Sequence, residues 1–296
     1  MTTTKMTVKK LLDIVKPPPK HWVGNGFHVH SMFSYDDNPE LISPFLLLDF
    51  MAPETYPPSQ GERRGVGEHP HRGFETVTIL HSGEVEHRDS AGNRGKLGPG
   101  DVQWMTAASG VVHEEKHSQE FTRKGGVFEG AQLWVNLPKQ FKMSKPKYQD
   151  IASSKIPTVP LPEGAGGVRV IAGEYEGSRG PASTHTPINL WDVTLQAGRA
   201  VDFKVTDVHT LLLHAFRGAV EVNGSRTLKE TELAVLHRQG ETVTLKAEKD
   251  SRLLLMSGEP IDEPVVGYGP FVMNSHAEIS QAIEDYESGK MGTLEE

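Results

Sequence analysis

His69-Pro70-His71-Arg72-Gly73-Phe74-Glu75 is answered further along the chain by Val111-Val112-His113-Glu114-Glu115. Each stretch adjoins an apolar run with the length and composition of a strand, Thr76-Val77-Thr78-Ile79-Leu80 after the first and Val102-Gln103-Trp104-Met105 before the second. A strand sends residues i and i+2 to the same face. His69 and His71 therefore converge on one point, as do His113 and Glu115, while Glu114 faces away. Two such pairs on neighbouring strands inside a β-barrel supply three nitrogens and one oxygen. Up to two positions of an octahedron stay open, which suits Fe(II) and related divalent metals better than a closed structural zinc site. Pro70 lacks an N–H, so its strand is expected at a sheet edge or with a bulge.

The same chain holds a control. His28-Val29-His30 has the same spacing but no acidic partner nearby in sequence, and reads as structural. With 14 histidines in 296 residues, a lone His-x-His carries little weight; the second pair, His113 and Glu115, gives the pattern its force. Lys139, Lys142, Lys145 and Lys147 form a basic run read as a solvated linker. No phosphate loop, dinucleotide fingerprint or Ser/His/Asp nucleophile signature occurs.

Composition excludes several classes. There is no cysteine, so disulfides, thiolate nucleophiles and Cys-bound zinc are ruled out. A net charge of −8 opposes non-specific nucleic-acid binding, and no direct nucleic-acid partner is expected. Lys9, Lys10 and Asp13 interrupt the N-terminal stretch, which lacks the apolar core of a signal peptide, and no window has the length of a membrane span. A cytoplasmic protein without a membrane partner is the expectation.

Turn punctuation dominates the chain, with 30 Gly and 20 Pro between short apolar runs such as Pro44 to Leu48 and Gln132 to Val135. Thr7 to Val15 reads as a short helix stopped by Pro17-Pro18-Pro19. Pro138 to Gly167, rich in Lys, Pro, Ser and Gly, reads as a link between two β domains. Beyond it, Leu211 to Val222 echoes Val77 to Glu86: an apolar strand, a glycine turn, an alternating strand. Ser275-His276-Ala277-Glu278 is a capping box that opens one amphipathic C-terminal helix.

Long motifs carry a family resemblance. The run from His69 to Leu80, then His87 to Gly92, Pro99 to Ala107 and His113-Glu-Glu115, resembles the pirin family of the cupin superfamily. So do Pro44 to Asp49, Leu133 to Pro138 and Tyr268 to Asn274, so the likeness covers nearly the whole chain. It implies an all-β fold of two tandem cupin (double-stranded β-helix) barrels with a short C-terminal helix. The linear division is a metal-binding domain over residues 1–140 and a domain without metal ligands over 141–296. The family ligands fall on His69, His71, His113 and Glu115. They would hold one divalent metal ion, first of all Fe(II), with Ni, Co, Mn or Cu as alternatives.

Bacterial members resemble quercetin 2,3-dioxygenases. That implies a flavonol-like aromatic substrate, O2, and Glu115 as the catalytic carboxylate that takes the substrate's 3-hydroxyl proton. Members in animal nuclei act as transcriptional coregulators, so the alternative is a non-catalytic iron-binding regulator with a protein partner. A monomer is expected. In many cupins a glutamate at the place of Glu75 binds the metal, whereas in pirins the glutamate after the third histidine does. Glu75 shares parity with His69 and His71 and is expected to point toward the site and orient the ligands. His117 shares parity with His113, which would make it a spare ligand, but the chain is expected instead to turn away after Glu115. His81 and His87 read as turn or supporting residues, and Trp104 and Met105 as core. In the second half His209 and His214 are five apart and face opposite ways. The counterpart of the His113 strand reads Leu253-Leu254-Leu255-Met256, so no metal is expected there.

Overall fold

The computed structural model describes residues 7–294. Its strands gather into two compact units. Among the described residues each unit is built on a seven-stranded and a four-stranded sheet, with neighbouring strands antiparallel. This is the all-β, two-barrel cupin architecture. No helix among the described residues is long and apolar enough to cross a membrane.

In the unit that carries the histidine pairs, the large sheet runs Lys147–Ile151, Val102–Thr106, Phe74–Ser82, Gly126–Asn136, Phe45–Tyr56, Phe27–Ser34 and His21–Val23. The small sheet runs Gly65–His71, Val111–His117, Val85–Asp89 and Arg94–Leu97. The other unit repeats this order, with Thr210–Arg217 in the place of Phe74–Ser82 and Ala219–Val222 in the place of Val85–Asp89. The echo read between residues 77–86 and 211–222 is thus an echo of position as well as of pattern. Strand order corrects one equivalence: the counterpart of Val111–His117 is Thr242–Ala247, flanked by Ala200–Lys204 and Ala219–Val222. Leu253 to Met256 belongs instead to Ser251–Gly258, which sits where Gly126–Asn136 sits in the first unit.

The units do not split the chain at 140/141. Among the described residues, one comprises 18–40, 44–153 and 261–294; the other takes 7–17, 41–43 and 154–260. Two edge strands account for much of this. Lys147–Ile151, inside the stretch read as a linker, pairs with Val102–Thr106 and closes the edge of the first unit's large sheet. Leu11–Val15, read as part of a helix, is a strand paired with Leu233–Leu236 at the edge of the second unit's sheet. Its Leu11 and Ile14 pack on that unit's core around Trp191 and Phe203. An edge strand's free N–H and C=O groups are satisfied by any extended segment that reaches them, so tertiary pairing overrides a marginal helical preference.

The C-terminal helix forms as the capping box predicts. It spans His276–Glu287, and the Ser275 hydroxyl accepts from Glu278 N at 3.3 Å. Ile279 and Ala282 bury against Val112, Phe271 and Met273. Arg72, next to His71, is buried and tied to this helix, donating to Asp285 Oδ2 at 2.9 Å and to the Ser109 carbonyl at 2.7 Å.

Candidate metal centre

Strand register builds the site. Gly65–His71 is the edge strand of the small sheet and pairs only partly in step with Val111–His117. His69 lies opposite His113 and His71 opposite Val111, but Glu115 lies opposite Val66, so Gly67 and Glu68 together face Glu114. The strand lies at the sheet edge, as Pro70 leads one to expect, while the bulge falls at Gly67 and Glu68 and Pro70 itself pairs in step with Val112.

The side-chain ligand atoms of His69, His71 and His113 lie within 4.8 Å of one another. Their ring centroids are 4.3 to 4.9 Å apart. His71 and His113 are 3% and 1% exposed, and none of their four ring nitrogens makes a hydrogen bond of good geometry. Buried polar atoms without partners are costly, so the cluster has the chemistry of a ligand set. His69 is fixed differently, with Nδ1 against the Gly67 carbonyl at 2.8 Å, which leaves Nε2 directed away from it. Burial holds the pKa values of His71 and His113 well below the imidazole range, and repulsion from neighbouring imidazoles adds to this, partly opposed at His71 by the Pro270 carbonyl. The rings are therefore neutral, the state that offers a lone pair to a metal.

Glu115 is buried on the same strand but outside this mutually close trio. Its Oε2 accepts from Gln132 Nε2 at 3.0 Å and its Oε1 from the Thr78 hydroxyl at 3.4 Å. Gln132 is in turn held by the Trp134 indole N–H, which donates to Oε1 at 3.2 Å. Trp134 stands edge-on to His71, with ring centroids 5.4 Å apart. A cavity of about 250 Å³ opens beside the histidines. Val29, Met51, Val66, Phe128 and Trp134 make its walls apolar, and His69, His71 and Glu115 reach it.

Several residues stand elsewhere than parity along the first motif predicts. Gly73, with φ +91°, turns the chain between Gly65–His71 and Phe74–Ser82, and a Cβ there would meet the Val272 carbonyl oxygen at 2.0 Å. The turn resets the alternation. Thr78 faces the cavity, whereas Glu75 lies opposite Thr106 on the other face and accepts its hydroxyl proton at 2.6 Å. Burial pushes Glu75 up to about 7. It therefore does not orient the histidines.

His117 remains within its strand rather than beyond a turn, boxed by Phe27, Tyr56, Phe121 and Phe128, with Nε2 against the Gly26 carbonyl at 3.0 Å. His87 is a buried neighbour stacked on Tyr148, 3.4 Å from Asp150. His81 lies 4.0 Å from Glu129. His28 stacks on Trp22 and bonds Glu54 at 2.9 Å, the acidic partner arriving from an adjacent strand. Lys142, read as solvated, is buried. Gln132, Trp134, Thr78 and Asp49 escaped the sequence reading, although Gln132 and Trp134 are an i, i+2 pair whose polar member is conspicuous in an apolar strand.

Two cupin barrels in tandem, the first with an imidazole cluster opening on an apolar cavity, define a bicupin with a candidate metal site. A family model described as pirin matches residues 26–135, and one described as the pirin C-terminal cupin domain matches residues 190–292. The chain belongs to the pirin family. It is 53% identical over 283 residues to a Pseudomonas aeruginosa protein provisionally named a quercetin 2,3-dioxygenase, covering 96% of this chain and 98% of that one. A pirin-like protein of Arabidopsis thaliana is 38% identical, covering 86% of this chain and 77% of the relative. The crystal structure of a quercetin 2,3-dioxygenase from Acinetobacter baumannii superposes with a TM-score of 0.95 at 49% identity, covering 97% of this chain and 100% of that one.

Proposed function

We propose that the protein is a metal-dependent dioxygenase that opens the heterocycle of a flavonol such as quercetin with O2, releasing carbon monoxide. The observation that carries this reading is the shared opening of His69, His71 and the Glu115 carboxylate onto an apolar, aromatic-walled cavity of about 250 Å³. The names of the Pseudomonas and Acinetobacter relatives support it.

His69, His71 and His113 would hold one divalent metal, Fe(II) first, with Glu115 as the carboxylate partner. The metal supplies Lewis acidity and redox access to O2. The chain's own residues do the rest. Glu115 receives the proton of the flavonol 3-hydroxyl on a carboxylate oxygen. Gln132 and Thr78 keep that carboxylate at the cavity wall through the bonds already described. Val29, Met51 and Phe128 exclude bulk water from the reacting ring.

The test is metal analysis followed by oxygen uptake on quercetin after anaerobic reconstitution with Fe(II), Ni(II), Co(II), Mn(II) or Cu(II). Flavonol-dependent uptake with at least one metal is expected. Its absence with all five overturns the enzyme reading and leaves the metal-binding regulator as the alternative.

A further inference from the structure

One line of polar groups crosses the cavity wall. Register sets Ser31 opposite Asp49, Asp49 opposite Gln132 and Gln132 opposite Thr78, so four polar side chains run across four neighbouring strands of the large sheet. Directly opposed residues share a face, and Asp49, Gln132 and Thr78 all line the cavity. Gln132 and Thr78 are engaged with Glu115. Asp49 stands apart from that group. Ser31 donates to its Oδ1, and the other carboxylate oxygen has no hydrogen-bond partner among the described residues.

Asp49 is half-buried, so its second oxygen faces the open cavity; a ligand that fills the cavity strips water from it, and a ligand hydroxyl that bonds it offsets that cost. Burial indeed raises the Asp49 pKa, with the Ser31 hydrogen bond and the charge of His21 pulling the other way. Strands lie about 4.8 Å apart, so Asp49 is about 10 Å along the wall from Thr78, where Glu115 sits. Two fused rings with an aryl substituent span such a distance.

We propose that Asp49 is a specificity-determining residue whose unpartnered carboxylate oxygen accepts a hydrogen bond from a hydroxyl on the flavonol ring remote from the 3-hydroxyl delivered to Glu115. This rests on reading the cavity as a flavonol site. Asp49 takes no part in the chemical step. It selects among flavonols, because an analogue that lacks the remote hydroxyl covers the half-buried carboxylate without replacing the water it displaces.

The test is an anaerobic absorbance titration of the metal-loaded protein with 3-hydroxyflavone, 3,4′-dihydroxyflavone and 3,7-dihydroxyflavone, so that binding is read without turnover. Wild type is expected to bind one of the two dihydroxy compounds about 10-fold tighter than 3-hydroxyflavone, the scale of a hydrogen bond to a charged group. Asp49→Ala should abolish that preference and leave 3-hydroxyflavone binding little changed. Asp49→Asn, nearly isosteric, should reduce the preference and serves if the alanine variant does not fold, as read by circular dichroism. The same preference in wild type and variants, or none in wild type, overturns the Asp49 assignment alone. No binding of any compound to wild type overturns the flavonol reading and the assignment with it.

Discussion

Gln132 joins Glu115 to Trp134, donating from Nε2 to the carboxylate at 3.0 Å while its Oε1 accepts from the indole N–H at 3.2 Å. Both ends of the amide are fixed, so the direction of the donor is set by the indole. Gln132→Leu keeps the bulk and removes both polar ends. Under the proposed function Glu115 is a metal-site carboxylate, and losing a partner that orients such a group typically costs about 10–100-fold in activity or metal affinity. A fall of that size in kcat, with the melting temperature little changed, is the expected outcome in steady-state oxygen-uptake assays. An unchanged kcat shows that Glu115 works without this support.

The ring nitrogens of His71 and His113 are buried without a hydrogen bond of good geometry, so a metal bound there, as proposed, would stabilise the fold as well as serve the reaction. At metal about 100 times Kd, linkage adds about 2.7 kcal/mol, or roughly 5–10 °C for a unit of this size. Wild type should therefore melt higher with Fe(II) or Ni(II) than after chelation, as followed by calorimetry. His113→Ala should retain no metal by elemental analysis and show no such shift. Metal content that survives in this variant removes His113 from the ligand set.

The i, i+2 spacing of His69 and His71 was legible because a strand's period of two needs no tertiary information, and Pro70 marked the sheet edge on which they stand. The same rule failed at Glu75. Counting parity from His71 assumes an unbroken strand, and the Gly73 turn breaks it. Asp49 and Gln132 were invisible for another reason. They lie far apart in sequence and meet through the pairing of Phe45–Tyr56 with Gly126–Asn136, a register that no local pattern specifies. The exchange of Leu11–Val15 and Lys147–Ile151 between sheet edges is likewise a non-local outcome. Each segment taken alone has weak propensity, and the open edge decides.

Arg72 links the histidine strand to the C-terminal helix through Asp285, whose carboxyl is held down to about 2 by Lys290 and Arg72. A folded pKa below the unfolded value means that the native state binds fewer protons in the interval between them. The resulting stability is present above about pH 4 and is lost as pH falls toward 2. The expected result is a melting-temperature gap between wild type and Asp285→Asn that is widest above pH 4 and closes by pH 2. Thermal scans at several pH values, taken as differences, cancel the other carboxylates. A gap independent of pH shows that the bond's geometry matters but its charge does not.

Lys142 gives the same sign of pH dependence from the opposite cause, because burial disfavours its charged form. Its ammonium donates to the Gly73 carbonyl at 2.7 Å, to Asn136 Oδ1 at 2.6 Å and to the Val272 carbonyl at 2.9 Å, clasping the turn that follows His71. Three donors meet three acceptors, yet burial still pulls its pKa from 10.5 down to about 7. Between those values the unfolded chain binds the proton and the folded one releases it, so stability rises with pH across that window. Lys142→Met has similar length and no titration. Wild type should gain melting temperature relative to this variant from pH 7 to pH 10. A flat difference shows that the three oxygens keep the ammonium charged throughout, and that the clasp at Gly73 outweighs the cost of burying it.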